Sequence, residues 1–209
     1  MGAFTLPPSS YSGAANIPAT TPFKYGPETR IRHYERGWKE NELQDATHFI
    51  TAKIPKEVKE ELRVKGRPVT DYVTKLLKGI VRCVTNGDPS YQPDYIWVLE
   101  PKNGVHVHIA IRLSSYEVVL AVESYLAEQF GVKRTERGLG CAEIRKHNSG
   151  LPIHITPISL AKVYTKTERA GFDGLLDYFK KKISENAQRR KGADLGKLVG
   201  ASQSVTQRR

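Results

Sequence analysis

Two histidines separated by one residue, His106-Val107-His108, lie in a run at 105–113 (VHVHIAIRL) whose composition predicts a strand. Side chains at i and i+2 of a strand point to the same face, so this spacing presents two imidazoles side by side. Such a pair can share one metal ion, and imidazole suits manganese or zinc better than magnesium alone. A carboxylate would extend the range toward hard cations, and Glu100 ends the preceding strand-like run at 94–100 (DYIWVLE). If Lys102-Asn103-Gly104 forms a three-residue hairpin loop with Gly104 left-handed, Pro101 pairs with Val105 and Glu100 faces His106. A two-residue Asn-Gly loop would instead turn Glu100 to the other face. The bland alternative is a strand exposing two ordinary surface histidines. Val105, Val107, Ile109 and Ile111 occupy the opposite face, which predicts that the histidine face is the less buried one.

A second cluster is Tyr178-Phe179-Lys180-Lys181, followed by Lys182, on a predicted helix. Lys181 at i+3 and Lys182 at i+4 are surface neighbours of Tyr178. A free phenol has a pKa near 10, so it becomes a nucleophile at neutral pH only where a cation or metal favours the phenolate. Taken alone, the same residues also describe an amphipathic helix that buries Leu175, Leu176, Phe179 and Ile183. The Tyr-x-x-Lys pattern recurs at Tyr72-Val73-Thr74-Lys75.

The elements that must position these groups alternate strand and helix. Residues 47–54 read as a strand that stops at Pro55, and 56–64 and 69–84 as two helical pieces broken near Gly66-Arg67-Pro68. A helix at 115–130 starts at a Ser cap and ends at Gly131. Short strands are expected near 141–146 and 151–155. A last helix runs from about Leu160, weakens near Gly171 to Gly174, and resumes to about Arg189. The order β, α, β, β, α, β, β, α, with hairpin-linked strands, predicts an α+β fold: a five-stranded antiparallel sheet with helices on one face.

The flanks read differently. Residues 1–40, rich in Pro, Ser, Ala and Thr at their start, are expected to be a flexible arm, 41–188 the folded domain, and 189–209 a disordered basic tail of net charge +5. The whole chain of 209 residues carries a formal charge of +11, which favours a polyanionic partner. Cys83 and Cys141 provide neither a disulfide framework nor a thiolate zinc spacing. No apolar run reaches the roughly 20 residues that span a bilayer, and no leader pattern opens the chain, so a soluble, cytoplasmic or nuclear, unexported protein is expected. Phosphate contacts are expected from residues 133–137 and 145–147 and from the tail, and base contacts from Tyr95 or Trp97 if exposed. His33, His48, His147 and His154 are expected to be structural or exposed.

Together these residues resemble the HUH endonuclease superfamily, specifically its single-tyrosine rolling-circle replication initiators. Three motifs occur in family order: Phe49-Ile50-Thr51 followed by Pro55, His106-Val107-His108, and Tyr178 with Lys181. In these initiators the nucleophile follows the histidine pair, which selects Tyr178, whereas relaxase order would select Tyr72. The resemblance implies the histidine pair on a central strand of a five-stranded sheet, with the tyrosine helix beside it. It also implies Mn²⁺ or Mg²⁺ at His106, His108 and Glu100, and Tyr178 assisted by Lys181, with Lys182 as substitute. The implied reaction nicks single-stranded origin DNA, leaving a 5′-phosphotyrosyl adduct and a free 3′-hydroxyl, and can rejoin strands. No glycine-rich phosphate loop follows Lys182, so a separate helicase and a host polymerase are the expected partners. A single-tyrosine transposase or relaxase of the same superfamily, a non-catalytic DNA-binding protein and an RNA-binding module are the competing readings.

Overall fold

The computed structural model describes residues 26–85, 92–101, 104–133, 152–158, 171–187 and 195–206. In chain order the elements are α1 (Pro27–Glu40), β1 (His48–Lys53), α2 (Lys56–Val64), α3 (Val69–Thr85), β2 (Tyr95–Glu100), β3 (His106–Ile111), α4 (Tyr116–Phe130), β4 (Ile153–Pro157), α5 (Gly171–Ala187), β5 (Val199–Ala201) and α6 (Gln203–Thr206). The fold is α+β. Five strands form one sheet in the order β4-β1-β3-β2-β5, and every pairing is antiparallel. The strand that carries the histidine pair is therefore the central one.

Local signals explain most boundaries. Pro55 closes β1, and Gly66, in the left-handed region at φ 61°, separates α2 from α3. The Ser115 hydroxyl accepts from the Val118 N–H at the start of α4. Gly131 ends that helix at φ 61°, with the Gly131 and Val132 N–H groups donating to the Glu128 and Ala127 carbonyls.

Strand parity divides the interior in two. One sheet face presents Ile50, Ala52, Leu99, Val107, Ile109 and Ile153 to α3 and α4, which supply Val73, Leu76, Ile80, Val122 and Leu126. The other presents Ile96, Val98, Ala110 and Val199 to α1 and α5, which supply Ile31, Trp38, Leu175, Leu176, Phe179 and Ile183. Helices thus cover both faces, not one as the strand order suggested. A two-sided apolar sheet cannot leave either face in water without exposing such residues.

The flanks depart from expectation for the same reason. Residues 27–40 of the expected arm form α1, whose Ile31, Tyr34 and Trp38 are buried, with Trp38 packed on Phe172 at a centroid distance of 4.7 Å. Within the expected disordered tail, β5 joins the sheet against β2, and Leu195, Leu198 and Val205 are buried. Two glycines allow this closure. A Cβ at Gly37 would strike the Val205 carbonyl oxygen, and one at Gly200 would lie 2.5 Å from the Trp97 ring. The fifth described strand therefore comes from residues 199–201; the strand expected at 141–146 lies outside the described residues, as does the helical stretch before Gly171. Among the described residues no helix is long and apolar enough to cross a membrane.

Because Trp38 is only 2 % exposed, Trp38→Ala is expected to lower the unfolding free energy by about 3–5 kcal/mol in a urea titration. An unchanged midpoint would mean that α1 is the dispensable arm its composition suggested.

Candidate active site

The site lies on the α1–α5 face, at the end of the sheet where β2 stops and β3 begins. Antiparallel register sets Glu100 opposite His106, as the three-residue loop required, and Gly104 has φ 98°. On the other side of β3, Lys53 pairs with His106 and Thr51 with His108. Next across, His154 of β4 pairs with Thr51. Two rows of polar side chains thus cross the face: Lys53–His106–Glu100 and His154–Thr51–His108.

Glu100 is the centre of the polar contacts. Its Oε2 lies 3.0 Å from His108 Nε2, and its Oε1 accepts from Lys182 Nζ at 2.9 Å. Glu100 and His108 are both buried, at 8 % and 6 % exposure. The histidine face is the less buried one at His106, as the apolar alternation predicted, but at His108 α5 roofs it. Burial alone would raise the Glu100 pKa, but hydrogen bonds and charge from His108 and Lys182 outweigh it and hold the carboxyl at about 2.

The nitrogen roles follow from these partners. An ionised carboxylate only accepts, so His108 Nε2 donates to Glu100, and Nδ1 is hydrogen-bonded 3.0 Å away to the Thr51 hydroxyl, which can serve as donor or acceptor. His106 Nδ1 is 3.0 Å from the Gly104 carbonyl oxygen, to which it donates, leaving Nε2 with its lone pair. Burial, and then the neighbouring His108, lower the His106 pKa and favour this neutral form. The two rings stack at 6.3 Å with an interplanar angle of 14°, and Phe49 stacks on the other side of His108 at 5.6 Å.

Helix α5 brings Tyr178 over this group. Its ring meets His108 edge-on at 5.9 Å, and Lys182 Nζ lies 5.4 Å from the tyrosine centroid. Burial, and then the charges of Glu100 and Glu185, push the Tyr178 pKa upward. Of the two expected lysines, Lys182 enters the site, while Lys181 is 59 % exposed and contacts Glu185. The reason is helical phase: an i+4 neighbour lies nearer the tyrosine's own direction than i+3. Tyr72 sits on α3 with the opposite apolar cluster, separated from the histidines by the sheet.

The structure therefore brings together His106, His108, Glu100, Tyr178 and Lys182, and leaves Lys181 outside. Among the described residues no three His, Cys, Asp or Glu side chains form a ready metal cage. Both Glu100 oxygens are engaged by His108 and Lys182. Thr51 was part of a named motif without a role, whereas Lys53 and His154 went unrecognised, and strand pairing alone reveals them. Trp97, 6 % exposed, packs against Gly200 and offers no free ring, and His48 bonds to the Thr47 hydroxyl. Residues 134–137 and 145–147 lie outside the described residues. Against family models, curated proteins and solved structures alike, the chain has no match.

A carboxyl held near 2 in the fold against an ordinary 4.5 contributes stability that is complete above about pH 4.5 and lost as pH falls toward 2. Glu100→Gln is therefore expected to cost about 2 kcal/mol at neutral pH. Chemical denaturation across the acid range should show its gap from the parent closing below pH 4.5. A gap constant with pH would mean that the carboxylate charge does not hold this contact.

Proposed function

We propose that the chain nicks and rejoins single-stranded DNA at a replication origin by tyrosine transesterification, with Tyr178 as nucleophile. The observation that carries this reading is the convergence of a half-buried phenol, a paired ammonium and two imidazoles around Glu100, from elements far apart in sequence. A half-buried phenol beside a lysine, facing a histidine–carboxylate pair, is an arrangement suited to chemistry. The positive charge of the chain fits the polyanionic substrate.

In the reaction, Tyr178 Oη forms a bond to phosphorus and the bond from phosphorus to the 3′ oxygen breaks. The phenolic proton leaves and the 3′ oxygen takes one up. The products are a 5′-phosphotyrosyl adduct and a 3′-hydroxyl able to prime synthesis. The reverse attack by a 3′-hydroxyl rejoins a strand. The fold itself holds the Tyr178 phenol protonated, so in this reading its proton leaves only once a phosphate is seated, and Lys182, nearer the ring than the exposed Lys181, offsets the phosphoryl charge. Unwinding and synthesis fall to a separate helicase and a host polymerase.

The donor set fits Mn²⁺ or Mg²⁺. His106 already presents an unprotonated Nε2, and His108 and Glu100 lie on the same face. When bound there, the ion supplies Lewis-acid polarisation of the scissile phosphate. For His108 to offer Nε2 as a ligand, its ring proton must sit on Nδ1, where Thr51 Oγ1 accepts it. A hydroxyl can do both, so Thr51 is a positioning residue for either state.

Two tests follow. With short single-stranded origin DNA and Mn²⁺, a denaturing gel should reveal an EDTA-sensitive covalent adduct. Tyr178→Phe should abolish it, Lys182→Ala should slow it roughly a hundredfold, and Lys181→Ala should change it little. Absence of adduct on any single strand despite binding would contradict the reading. In Mn²⁺ titrations followed by electron paramagnetic resonance, Thr51→Val should weaken binding at least about tenfold and Thr51→Ser should restore it. Equal affinity in Thr51→Val would remove Thr51 from this role.

A further inference from the structure

At the same end of the sheet as His106 lies a cleft of about 470 Å³ between the end of β1, helix α2, the end of α4 and the residue before β4. Its cations are Lys53, Lys56 and Lys59, and its apolar walls include Ile54, Phe130 and Pro152. Among the described residues no carboxylate lines it, and none of the three lysines makes an ion pair. On the same helix and at its C-cap, by contrast, Arg63 pairs with Glu60 and Lys65 with Glu61. Three uncompensated ammonium groups around one concavity repel each other, and an anionic occupant relieves that repulsion.

The cleft adjoins the candidate active site at Lys53 and Gly104, although its walls at Ile54 and Phe130 belong to the α3–α4 side of the sheet. Lys53 lines it and pairs with His106 in the sheet, and Gly104, whose carbonyl accepts from His106, forms part of its wall. A strand leaving a phosphate at Tyr178 and His106 meets Lys53 first and then the two lysines of α2. The half-buried Phe130 and the proline offer apolar surface of the kind on which a sugar or base rests, without reading its sequence. Double-stranded DNA fits less well, since a duplex cannot lay a single backbone inside a cleft of this size.

We propose that this cleft grips the segment of single-stranded DNA adjoining the scissile phosphate, with Lys53, Lys56 and Lys59 neutralising its phosphates. The assignment rests on the nicking reading for the identity of the strand, but its binding test is separate. The full-length chain is titrated with fluorescein-labelled oligo(dT) at several salt concentrations, following anisotropy. Lys56→Gln/Lys59→Gln is compared with the parent and with Arg63→Gln/Lys65→Gln, which removes two cations from the last turn and C-cap of α2, outside the cleft.

The cleft variant is expected to bind at least about tenfold more weakly at low salt. Its plot of log affinity against log salt should be shallower by about 1.4, or about 0.7 per lost phosphate contact on a single strand. Its Mn²⁺ titration should match the parent. An affinity and slope equal to the parent's, or an equal loss in the control variant, would overturn the proposal. If the expected loss appears but the parent forms no adduct on any strand, the cleft stands and the nicking reading falls. If adduct forms and the cleft variant binds like the parent, the reverse holds.

Discussion

A buried carboxylate cannot stay ionised without close partners, and in this protein that requirement organises the site. Glu100 sits at the end of β2 with its two oxygens met by His108 of β3 and Lys182 of α5. The desolvation of a charged group in such a place costs several kcal/mol, so loss of either partner leaves the carboxylate exposed to that cost. The pairing therefore fixes where α5 lies over the sheet. With α5 fixed, Tyr178 comes to the edge of His108, and Phe179 packs toward Phe49 beneath it. Thr51 extends the chain of hydrogen bonds to β1.

The sheet separates stability from chemistry by strand parity. The face toward α3 and α4 is apolar along its length. The other is mostly apolar where α1 and the middle of α5 cover it, and its charged groups gather toward the Glu100 end. Odd positions of β1 and even positions of β2 and β3 all fall on this second face, which is why Thr51, Lys53, Glu100, His106 and His108 meet although 57 residues separate Thr51 from His108. The edge strand β5 and helix α6 close the far side and bury the flank of β2.

Much of this was legible in sequence where the signal was local. Alternation and turn residues marked β1, β2 and β3, caps marked α4, and loop length set Glu100 opposite His106. What escaped was non-local. The covering of the histidine face depends on α5 docking, which periodicity cannot orient. The burial of residues 27–40 and 199–206 depends on partners distant in sequence, so Trp38 and Val199 carry no local sign of the core they join. Tyr-x-x-Lys likewise named Lys181, because a motif counts residues where a helix counts angle, and the angle favours Lys182.

In the proposed reaction Tyr178 becomes the covalent link to DNA. Its most direct measurement is mass spectrometry of the protein–DNA adduct after nuclease and protease digestion, locating the nucleotide-modified peptide. The account predicts a phosphotyrosyl nucleotide on the peptide that contains Tyr178. Modification at Tyr72, on the other side of the sheet, or at a serine or lysine would contradict it.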